Sequence, residues 1–404
     1  MAPDWSSLPL DVLSIIALKL ESFEEFFYFS VVCRWWNRAS SSIKHGWRAR
    51  PTVPWLLLAE NTKENPNCIR KIFNLNNTKC YNLSLPQTFG RRCWGSAYGW
   101  IAMIDHDYSV RLFNPITKAE ILFPSLETIA SYSNNFDKNK DSDRLLQLYF
   151  TKLIVLKVPR SGQYEFVIMV VYDFSKGLAF ARHEDESWTS VLVKKKVVRF
   201  GKIMSAVRIV DVVEMGDQVF ALYDDGEIVC WNAKKFQDLE PLKTIDYIPS
   251  ETEIFVEYRK WFGTTYLVRS GTDLLMLLRY KEQVLSPDDP TTSDLDIVYR
   301  TVYIQVYKLD PKDKRWHEIE DVGDVALFVG CNYSMSVSVL EATCLQRNCV
   351  YFNDDENECW ADPTEFGGHD MGVYDIQNDE IWRFYQGQDT RSSTCPPIWF
   401  VPEL

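Results

Sequence analysis

Near the start of the chain, apolar residues recur with the spacing of an α-helix. The stretch LPLDVLSIIALKL (Leu8–Leu20) carries apolar side chains on more than one helical face. Its polar stripe consists of Asp11, Ser14 and Lys19. Pro9 suits the first turn of such a helix. The pattern therefore predicts a helix with more apolar surface than one neighbouring helix would cover.

Two further helices are predicted before residue 48. Ser22, followed three residues later by Glu25, forms a capping box that starts a second helix rich in phenylalanine. A third helix is expected to begin near Cys33, to be weakened by the serines at 40–42 and to end at Gly46. A unit of about 40 residues is at or below the size that folds unaided. Its excess apolar surface must therefore be covered by the rest of the chain or by a partner.

From Pro51 onward the pattern changes to short alternating strands with turn residues between them. Three stretches predict β-hairpins most clearly: RLFNPITKAEILFP (111–124), VYKLDPKDKRWHEI (306–319) and VYDIQNDEIWRF (373–384). An aromatic residue at a strand end is also followed, eight or nine residues later, by another aromatic residue or a leucine. The pairs are Phe73/Tyr81, Phe113/Leu122, Phe180/Trp188, Trp231/Leu239, Tyr307/Trp316 and Tyr374/Trp382.

These recurring hairpins predict a β-propeller. Residues 51–404 could hold seven kelch-like blades of about 50 residues each, while the hairpins support six. We therefore expect six blades, with seven as the near alternative and a double β-sandwich as the rival fold. The fold class is α+β multidomain, with a three-helix unit in residues 1–48 and an all-β propeller in residues 49–404.

Charge and composition narrow the possible partners. The formal charge is −12, and the first 50 residues hold six basic and five acidic residues, so nearly all the negative charge lies in the propeller. Such a surface would repel a phosphate backbone, which argues against nucleic acid. No apolar run approaches the ~18 residues of a membrane span, and the N-terminus lacks the features of a signal peptide. These features favour a soluble protein of the cytoplasm, the nucleus or both, with no membrane partner.

Catalytic and metal-binding motifs are not apparent in the sequence. The ten cysteines include no CxxC pair, and none of the five histidines has two-ligand spacing. The acidic stretch DKNKDSD (137–143) lacks the glycine and glutamate of a calcium loop. NDDENE (Asn353–Glu358) is interpreted as an exposed turn and KKKVVR (Lys194–Arg199) as a solvated strand edge. We therefore predict no cofactor, no metal and no enzymatic activity.

The residue order of the N-terminal segment resembles the F-box along its whole length. The matching positions are Leu8, Pro9, Asp11, Val12, Leu13, Ile16, Leu20, Phe29, Val31, Cys33, Arg34 and Trp36. The resemblance implies docking onto the Skp adaptor of an SCF-type (Skp–cullin–F-box) ubiquitin ligase. The adaptor-binding residues it implies are Leu8, Pro9, Val12, Leu13, Ile16, Leu20, Phe29, Val31, Cys33 and Trp36. The family usually has one tryptophan where this chain has Trp35 and Trp36, which leaves open which ring is buried.

The later part of the chain resembles a large plant family of F-box proteins whose C-terminal domain is similar to kelch-type propellers. The resemblance is carried by VYKLDPKDKRWHEIEDVGDVALFVGCNYSMSVSV from Val306, NCVYFNDDE from Asn348, MGVYDIQNDEIWRFY from Met371 and CPPIWFVPEL from Cys395. The chain departs from the family after Gly323 and Asp324, where Val325 and Ala326 replace a common Arg-Ala pair.

The two resemblances together imply a substrate receptor. The helices would bind the Skp adaptor and, through it, cullin and the ubiquitin-conjugating machinery, while the propeller would capture an unidentified protein target. Polar insertions at 133–144, 285–296 and 353–370 are expected to form the target face. The alternative is a propeller enzyme or ligand-binding protein whose N-terminal helices are a structural cap, with Leu8, Val12, Leu13 and Ile16 buried on the propeller. In a further alternative, the chain binds the adaptor, and the complex sequesters the target without ubiquitylating it.

Overall fold

A computed structural model gives the fold. The residues it describes are 5–20, 23–48, 53–60, 68–105, 107–129, 149–160, 163–191, 198–199, 202–203, 208–224, 226–232, 243–245, 262–285, 297–340, 342–355, 370–387, 390, 392 and 395–403. Among these residues, no helix is long and apolar enough to cross a membrane.

The N-terminal segment folds into three helices, α1 (Leu10–Leu18), α2 (Phe23–Val31) and α3 (Arg34–Arg48). Pro9 lies just before α1 as its N-cap residue, and its carbonyl accepts the N–H of Leu13 at 3.1 Å. The predicted capping serine, Ser22, lies outside the described residues.

Helix α3 is longer than the sequence predicts, because it continues through Gly46 to Arg48. The hydroxyl groups of Ser40 and Ser41 both donate to the carbonyl of Asn37 at 2.8 Å, and Ser42 donates to the carbonyl of Ala39 at 2.7 Å. Each hydroxyl thus bonds three or four residues back along the same helix. The helix thus continues past these serines, and the prediction that it ends at Gly46 was wrong.

The three helices share a small core of their own. Leu13, Ala17, Phe26, Phe29 and Ala39 are buried together. Most of the contact in this unit comes from α3 packing on α1 and α2, so a long third helix completes what two short helices could not bury alone.

The described strands form six blades, which confirms the predicted number and rules out the sandwich. Blade 1 contains β1 (Trp55–Leu57), β2 (Ile69–Asn74), β3 (Lys79–Ser84) and the last of the described strands, β27 (Ile398–Phe400). Blade 2 contains β4 (Cys93–Gly95), β5 (Ile101–Ile104), β6 (Ser109–Phe113) and β7 (Glu120–Ser125). Blade 3 contains β8 (Lys152–Arg160), β9 (Gln163–Tyr172), β10 (Gly177–Arg182) and β11 (Thr189–Val191).

The remaining strands build the second half of the ring. A two-stranded hairpin, β12 (Val198–Arg199) and β13 (Lys202–Ile203), precedes blade 4, which contains β14 (Ile209–Met215), β15 (Gln218–Tyr223), β16 (Ile228–Asn232) and β17 (Lys243–Ile245). Blade 5 contains β18 (Phe262–Ser270), β19 (Asp273–Leu285), β20 (Ile297–Asp310) and β21 (Arg315–Glu318). Blade 6 contains β22 (Val325–Val329), β23 (Met335–Ser338), β24 (Cys349–Phe352), β25 (Gly372–Asp375) and β26 (Glu380–Trp382), and β22 pairs with β24 in parallel.

The three predicted hairpins are confirmed as β6–β7, β20–β21 and β25–β26. Buried strands such as β9 lack alternation, since residues 167–171 are all buried between neighbouring blades. Several of the sequence predictions fall on residues that the structure does not describe. These are Leu239, residues 133–144, 286–296 and 356–369, and residues 194–197 of the basic run.

The ring is closed by the two ends of the propeller sequence. Strand β27 pairs antiparallel with β1, with Leu56 opposite Trp399. On its other side β27 contacts β4 of blade 2. A Cβ atom at Gly95 would lie 1.8 Å from the carbonyl oxygen of Trp399, so only glycine permits this approach of the two blades.

Candidate functional site

The ten residues predicted to bind the adaptor divide between the core and the surface of the helical unit. Leu13 and Phe29 are core residues, and four others are partly buried against that core: Leu8, Ile16, Leu20 and Trp36. Pro9 and Val12 are exposed, and Cys33 is half-buried. The side chain of Val31 lies outside the described residues.

The paired tryptophans have different environments. Trp36 packs on Phe29, with ring centroids 4.5 Å apart. Trp35 is on the surface, where its indole Nε1 donates to the carbonyl of Leu8 at 2.8 Å and Arg38 lies over its ring. Trp36 is therefore the inner ring, and Trp35 joins α3 to the residues that precede α1.

An apolar surface remains on the helical unit after its core is complete. Val12 is 37% exposed, Ile15 is 56% exposed and Trp35 is 38% exposed. Val12 and Ile15 are three residues apart and so lie on one face of α1. The sequence-predicted set of adaptor-binding residues does not include Ile15 or Trp35. The helical period could have identified Ile15, because it places Leu13 and Ala17 on the buried face of α1 and Ile15 on the exposed face.

The helices contact the propeller at the ring pair Tyr28 and Tyr81, whose centroids are 6.1 Å apart. The burial of Leu13 comes instead from the three-helix core. If the helices were a structural cap, Val12 and Leu13 would be buried against the propeller. Val12 is instead exposed, and Leu13 is buried within the helical unit itself.

At the centre of the propeller, one buried carboxylate connects four blades. Asp211, on β14 of blade 4, accepts a hydrogen bond from Lys152 Nζ of blade 3 at 2.6 Å. Its other oxygen accepts the N–H of Leu267 in blade 5 at 3.0 Å and the hydroxyl of Ser334 in blade 6 at 2.8 Å. Charge-assisted bonds of this kind are the stronger ones in proteins, so Asp211 holds the inner strands in place.

A second central carboxylate lies further along β14. Glu214 accepts hydrogen bonds from the hydroxyl of Tyr333 in blade 6, at 2.7 Å, and from the hydroxyl of Tyr98 beside blade 2. Burial, only partly offset by the bond from Tyr333, raises the pKa of Glu214 to about 7. Both central carboxylates therefore link blades to one another.

The stretch beginning at Asn353 is buried, so the exposed turn predicted for NDDENE was wrong where the structure describes it. Asn353 and Asp354 are fully buried and Asp355 is nearly so. Lys281 Nζ lies 2.8 Å from an oxygen of Asp355, and the hydroxyl of Tyr299 donates to Asp354 at 2.5 Å. Burial alone would raise the pKa of Asp355, but Lys281 and then Arg279 outweigh it and hold that pKa below its usual value. These bonds allow the acidic stretch to be buried.

Arg279 is the centre of this buried network. The side chain is fully buried on β19, and its Nη2 lies 2.7 Å from Asp370 Oδ2. Its Nη1 donates to the carbonyl of Asn353 at 2.7 Å and its Nε to the hydroxyl of Thr301 at 2.7 Å. Because Asp355 and Asp370 lie on either side of residues 356–369, one guanidinium from blade 5 holds both ends of the third polar insertion.

A cavity of about 350 Å³ opens beside these groups and is lined by residues of five blades. Its wall includes Trp94 of blade 2, Lys152 of blade 3, Arg208 next to blade 4, Thr265 of blade 5 and Asp355 next to blade 6. A cavity of this size is at the small end of the range for ligand sites.

One group of possible metal ligands occurs among the described residues. Asp310, Asp313 and His317 lie on the β20–β21 hairpin, with ligand atoms within 4.8 Å of one another. His317 Nε2 lies 2.6 Å from Asp313 Oδ2, and both side chains are exposed. A hydrogen bond between the exposed side chains of His317 and Asp313 accounts for this arrangement without a metal.

Comparison with known proteins agrees with the two parts of the fold. Residues 72–375 match the KIB1-4 beta-propeller family. F-box protein KIB4 of Arabidopsis thaliana is 23% identical over 367 residues, covering 86% of this chain and 82% of the relative. F-box protein SKIP23 of Arabidopsis thaliana is 22% identical over 409 residues, covering 94% and 90%. F-box/kelch-repeat protein KIB1 of the same plant is 23% identical over 369 residues, covering 88% and 80%.

These matches confirm the resemblance to plant F-box proteins with a C-terminal propeller. They extend over both the helices and the blades, because SKIP23 covers nearly the whole chain. The family match alone spans most of the ring. The chain belongs to the KIB1-4 beta-propeller family and is similar along its length to F-box proteins of plants.

Proposed function

We propose that this chain is a substrate receptor of an SCF-type ubiquitin ligase. Residues 1–48 form the adaptor-binding domain and residues 49–404 the target-binding domain. The observation that carries the proposal is the exposed apolar pair of Val12 and Ile15 on one face of α1, with Trp35 also exposed on α3, in a helical unit that has a buried core of its own. An apolar face that remains exposed after folding is typical of a protein-binding site.

The residues implied by the F-box resemblance act in two ways in this proposal. Leu13 and Phe29 build the core that fixes the angles between the helices, and Pro9 and Val12 touch the Skp adaptor directly. Ile15 and Trp35 extend the contact surface. The ring contact between Tyr28 and Tyr81 joins the helices to blade 1, so the adaptor is held next to the propeller.

The chain performs no bond chemistry in this proposal. Binding the adaptor connects it through cullin to the ubiquitin-charged conjugating enzyme, and the propeller holds the target beside that enzyme. Tethering of this kind makes the encounter intramolecular, at an effective concentration on the order of millimolar. The receptor acts in the cytoplasm, the nucleus or both, because ten cysteines without a CxxC pair fit a reducing compartment.

Co-expression with a Skp adaptor tests the first half of the proposal. The wild-type chain is expected to elute with the adaptor as a one-to-one complex in size-exclusion chromatography. A Val12→Glu/Ile15→Glu variant is expected to elute alone with its propeller folded, because it buries two charges at the interface. Leu122→Glu is the matched control, since Leu122 is equally apolar and 54% exposed on β7 of the propeller.

Two outcomes would contradict the proposal. A wild-type chain that elutes alone and well folded would make the helices a structural cap. Loss of the complex in the Leu122→Glu control would place the interface on the propeller. If the adaptor binds, the abundance of captured targets with and without a proteasome inhibitor separates degradation from sequestration, since unchanged abundance points to sequestration.

A further inference from the structure

Two neighbouring tryptophans of α3 hold the residues that precede α1. The indole Nε1 of Trp35 donates to the carbonyl of Leu8 at 2.8 Å, and the indole Nε1 of Trp36 donates to the carbonyl of Trp5 at 3.1 Å. The two carbonyls belong to the two ends of a short segment, residues 5–8, whose first three residues form a turn of 3₁₀ helix. Both ends of this leading segment are therefore bonded to α3.

Bonds of this kind are needed to order the start of a domain. The first residues of most domains are poorly ordered unless other groups tie them down. The F-box usually has one tryptophan where this chain has two, and Trp36 occupies the matching position. The additional tryptophan, Trp35, thus supplies the second of the two bonds that hold the leading segment.

The leading segment carries an exposed aromatic ring. Trp5 is 60% exposed, more than any other tryptophan in the described part of the chain. Further along, Pro9, Val12 and Ile15 are also exposed, and their spacing of three residues puts them on one side of α1 and its N-cap. The ring of Trp5 therefore precedes the exposed apolar surface of α1, on a backbone that hydrogen bonds hold in place. Tryptophan is one of the residues that most often dominate binding at protein interfaces.

We propose that Trp5 is a further contact of the Skp adaptor, outside the residues that match the F-box, and that Trp35 and Trp36 position it. The inference rests on the proposed function and adds to it one contact residue and two positioning residues. The two indole N–H groups hold the leading segment in its binding conformation before the adaptor arrives. Binding then orders little additional chain, so less conformational entropy is lost in the complex.

The affinity of the full chain for a purified Skp adaptor, measured by isothermal titration calorimetry, tests the contact. Trp5→Ala is expected to weaken binding by about tenfold or more, the usual loss when an anchoring aromatic residue is truncated. Trp5→Phe should recover part of that loss, because it restores a ring. The matched control is Tyr164→Ala, since Tyr164 is a 69% exposed aromatic residue on blade 3, and it should leave the affinity unchanged.

A second variant, Trp35→Phe, tests the positioning. It keeps an aromatic ring on the surface and removes the N–H that donates to Leu8. In the free chain, the main-chain N–H groups of residues 5–8 should exchange with deuterium faster. Adaptor affinity should fall about two- to tenfold, the range for one hydrogen bond, and should fall less when Trp5 is already alanine. A merely structural role of Trp35 would instead lower the helicity measured by circular dichroism and speed exchange in all three helices.

The outcomes separate this inference from the proposed function. If the wild type binds the adaptor and Trp5→Ala binds it equally well, Trp5 is not a contact, and the inference is overturned while the receptor proposal stands. Unchanged exchange of residues 5–8 in Trp35→Phe, or a loss of helicity in that variant, would overturn the positioning by Trp35. A wild-type chain that does not bind the adaptor would overturn the proposed function and this inference with it.

Discussion

Replacing Arg279 by methionine removes the cation at the centre of the buried network between blades 5 and 6. The guanidinium bonds to Asp370, the carbonyl of Asn353 and Thr301, each at 2.7 Å, and it is fully buried. Methionine has an unbranched side chain that matches the apolar stem of arginine, but it is shorter and has no donors. The change therefore leaves the carboxylate of Asp370 buried without its cation, while Asp355 keeps Lys281.

The expected loss in the free energy of unfolding is about 3–5 kcal/mol, the usual cost of removing one partner of a buried ion pair. The cost is larger than the strength of the pair itself, because the remaining charge still has to be desolvated. A second change, Asp370→Asn, removes that charge. The double variant is therefore expected to be more stable than Arg279→Met alone by about 1–3 kcal/mol.

Urea-induced unfolding, followed by tryptophan fluorescence, measures these differences. The matched control is Arg300→Met in the same blade, because Arg300 is exposed and pairs with Glu282 at 2.7 Å. Exposed pairs of this kind contribute about 0–1 kcal/mol. Two results would refute the assignment of a charge-balanced buried network. One is a free energy of unfolding for Arg279→Met within about 1 kcal/mol of that of the control. The other is a double variant that is no more stable than the single one.

Three further predictions concern other parts of the molecule. Leu13→Ala should cost about 2–5 kcal/mol in the helical core and should lower both the helicity measured by circular dichroism and adaptor binding. Val12→Ala should lower adaptor binding alone. Equal helicity in the two variants would contradict the assignment of Leu13 to the core and Val12 to the surface. The pKa of Glu214 is raised from 4.5 to about 7, so the native state takes up its proton more readily than the unfolded state, and stability falls as pH rises between these values. Glu214→Gln removes that fall, and its stability relative to wild type should grow by up to about 3 kcal/mol over this window in pH-dependent thermal melting. Gly95→Ala forces β27 away from β4, since its Cβ would lie 1.8 Å from the carbonyl of Trp399, and should destabilise the propeller by about 1–3 kcal/mol in the same assay.

The parts of the fold that depend on local pattern were predictable from the sequence. Hairpins such as β20–β21 follow from turn residues between two apolar stretches, with Asp310 opposite Arg315. The three helices follow from the helical period of their apolar residues. Their ends were less predictable, because α3 continues through Gly46 to Arg48 while it packs on α1 and α2.

The features that depend on distant contacts were not predictable. Asn353 and Asp354 look like an exposed turn until Arg279, from another blade, is placed beside them. Arg279 and Asp370 are 91 residues apart in sequence, and no pattern within a strand links them. The cavity is likewise lined by residues of five blades, so no local pattern in the sequence could reveal it. In the helical unit, the resemblance named core residues such as Leu13 and missed the exposed Ile15.

Closure of the ring by β27 has a consequence for how the protein is made. Strands β1–β3 of blade 1 emerge early from the ribosome, but their inner neighbour, Ile398–Phe400, is synthesised after the other strands of the described residues. Until then the edge of β1 is unpaired, and an open edge can pair with other chains. A product of premature termination would retain the helices and lack a closed propeller. If the proposed function holds, such a fragment is expected to occupy Skp adaptors without presenting a target and so to compete with the complete chain.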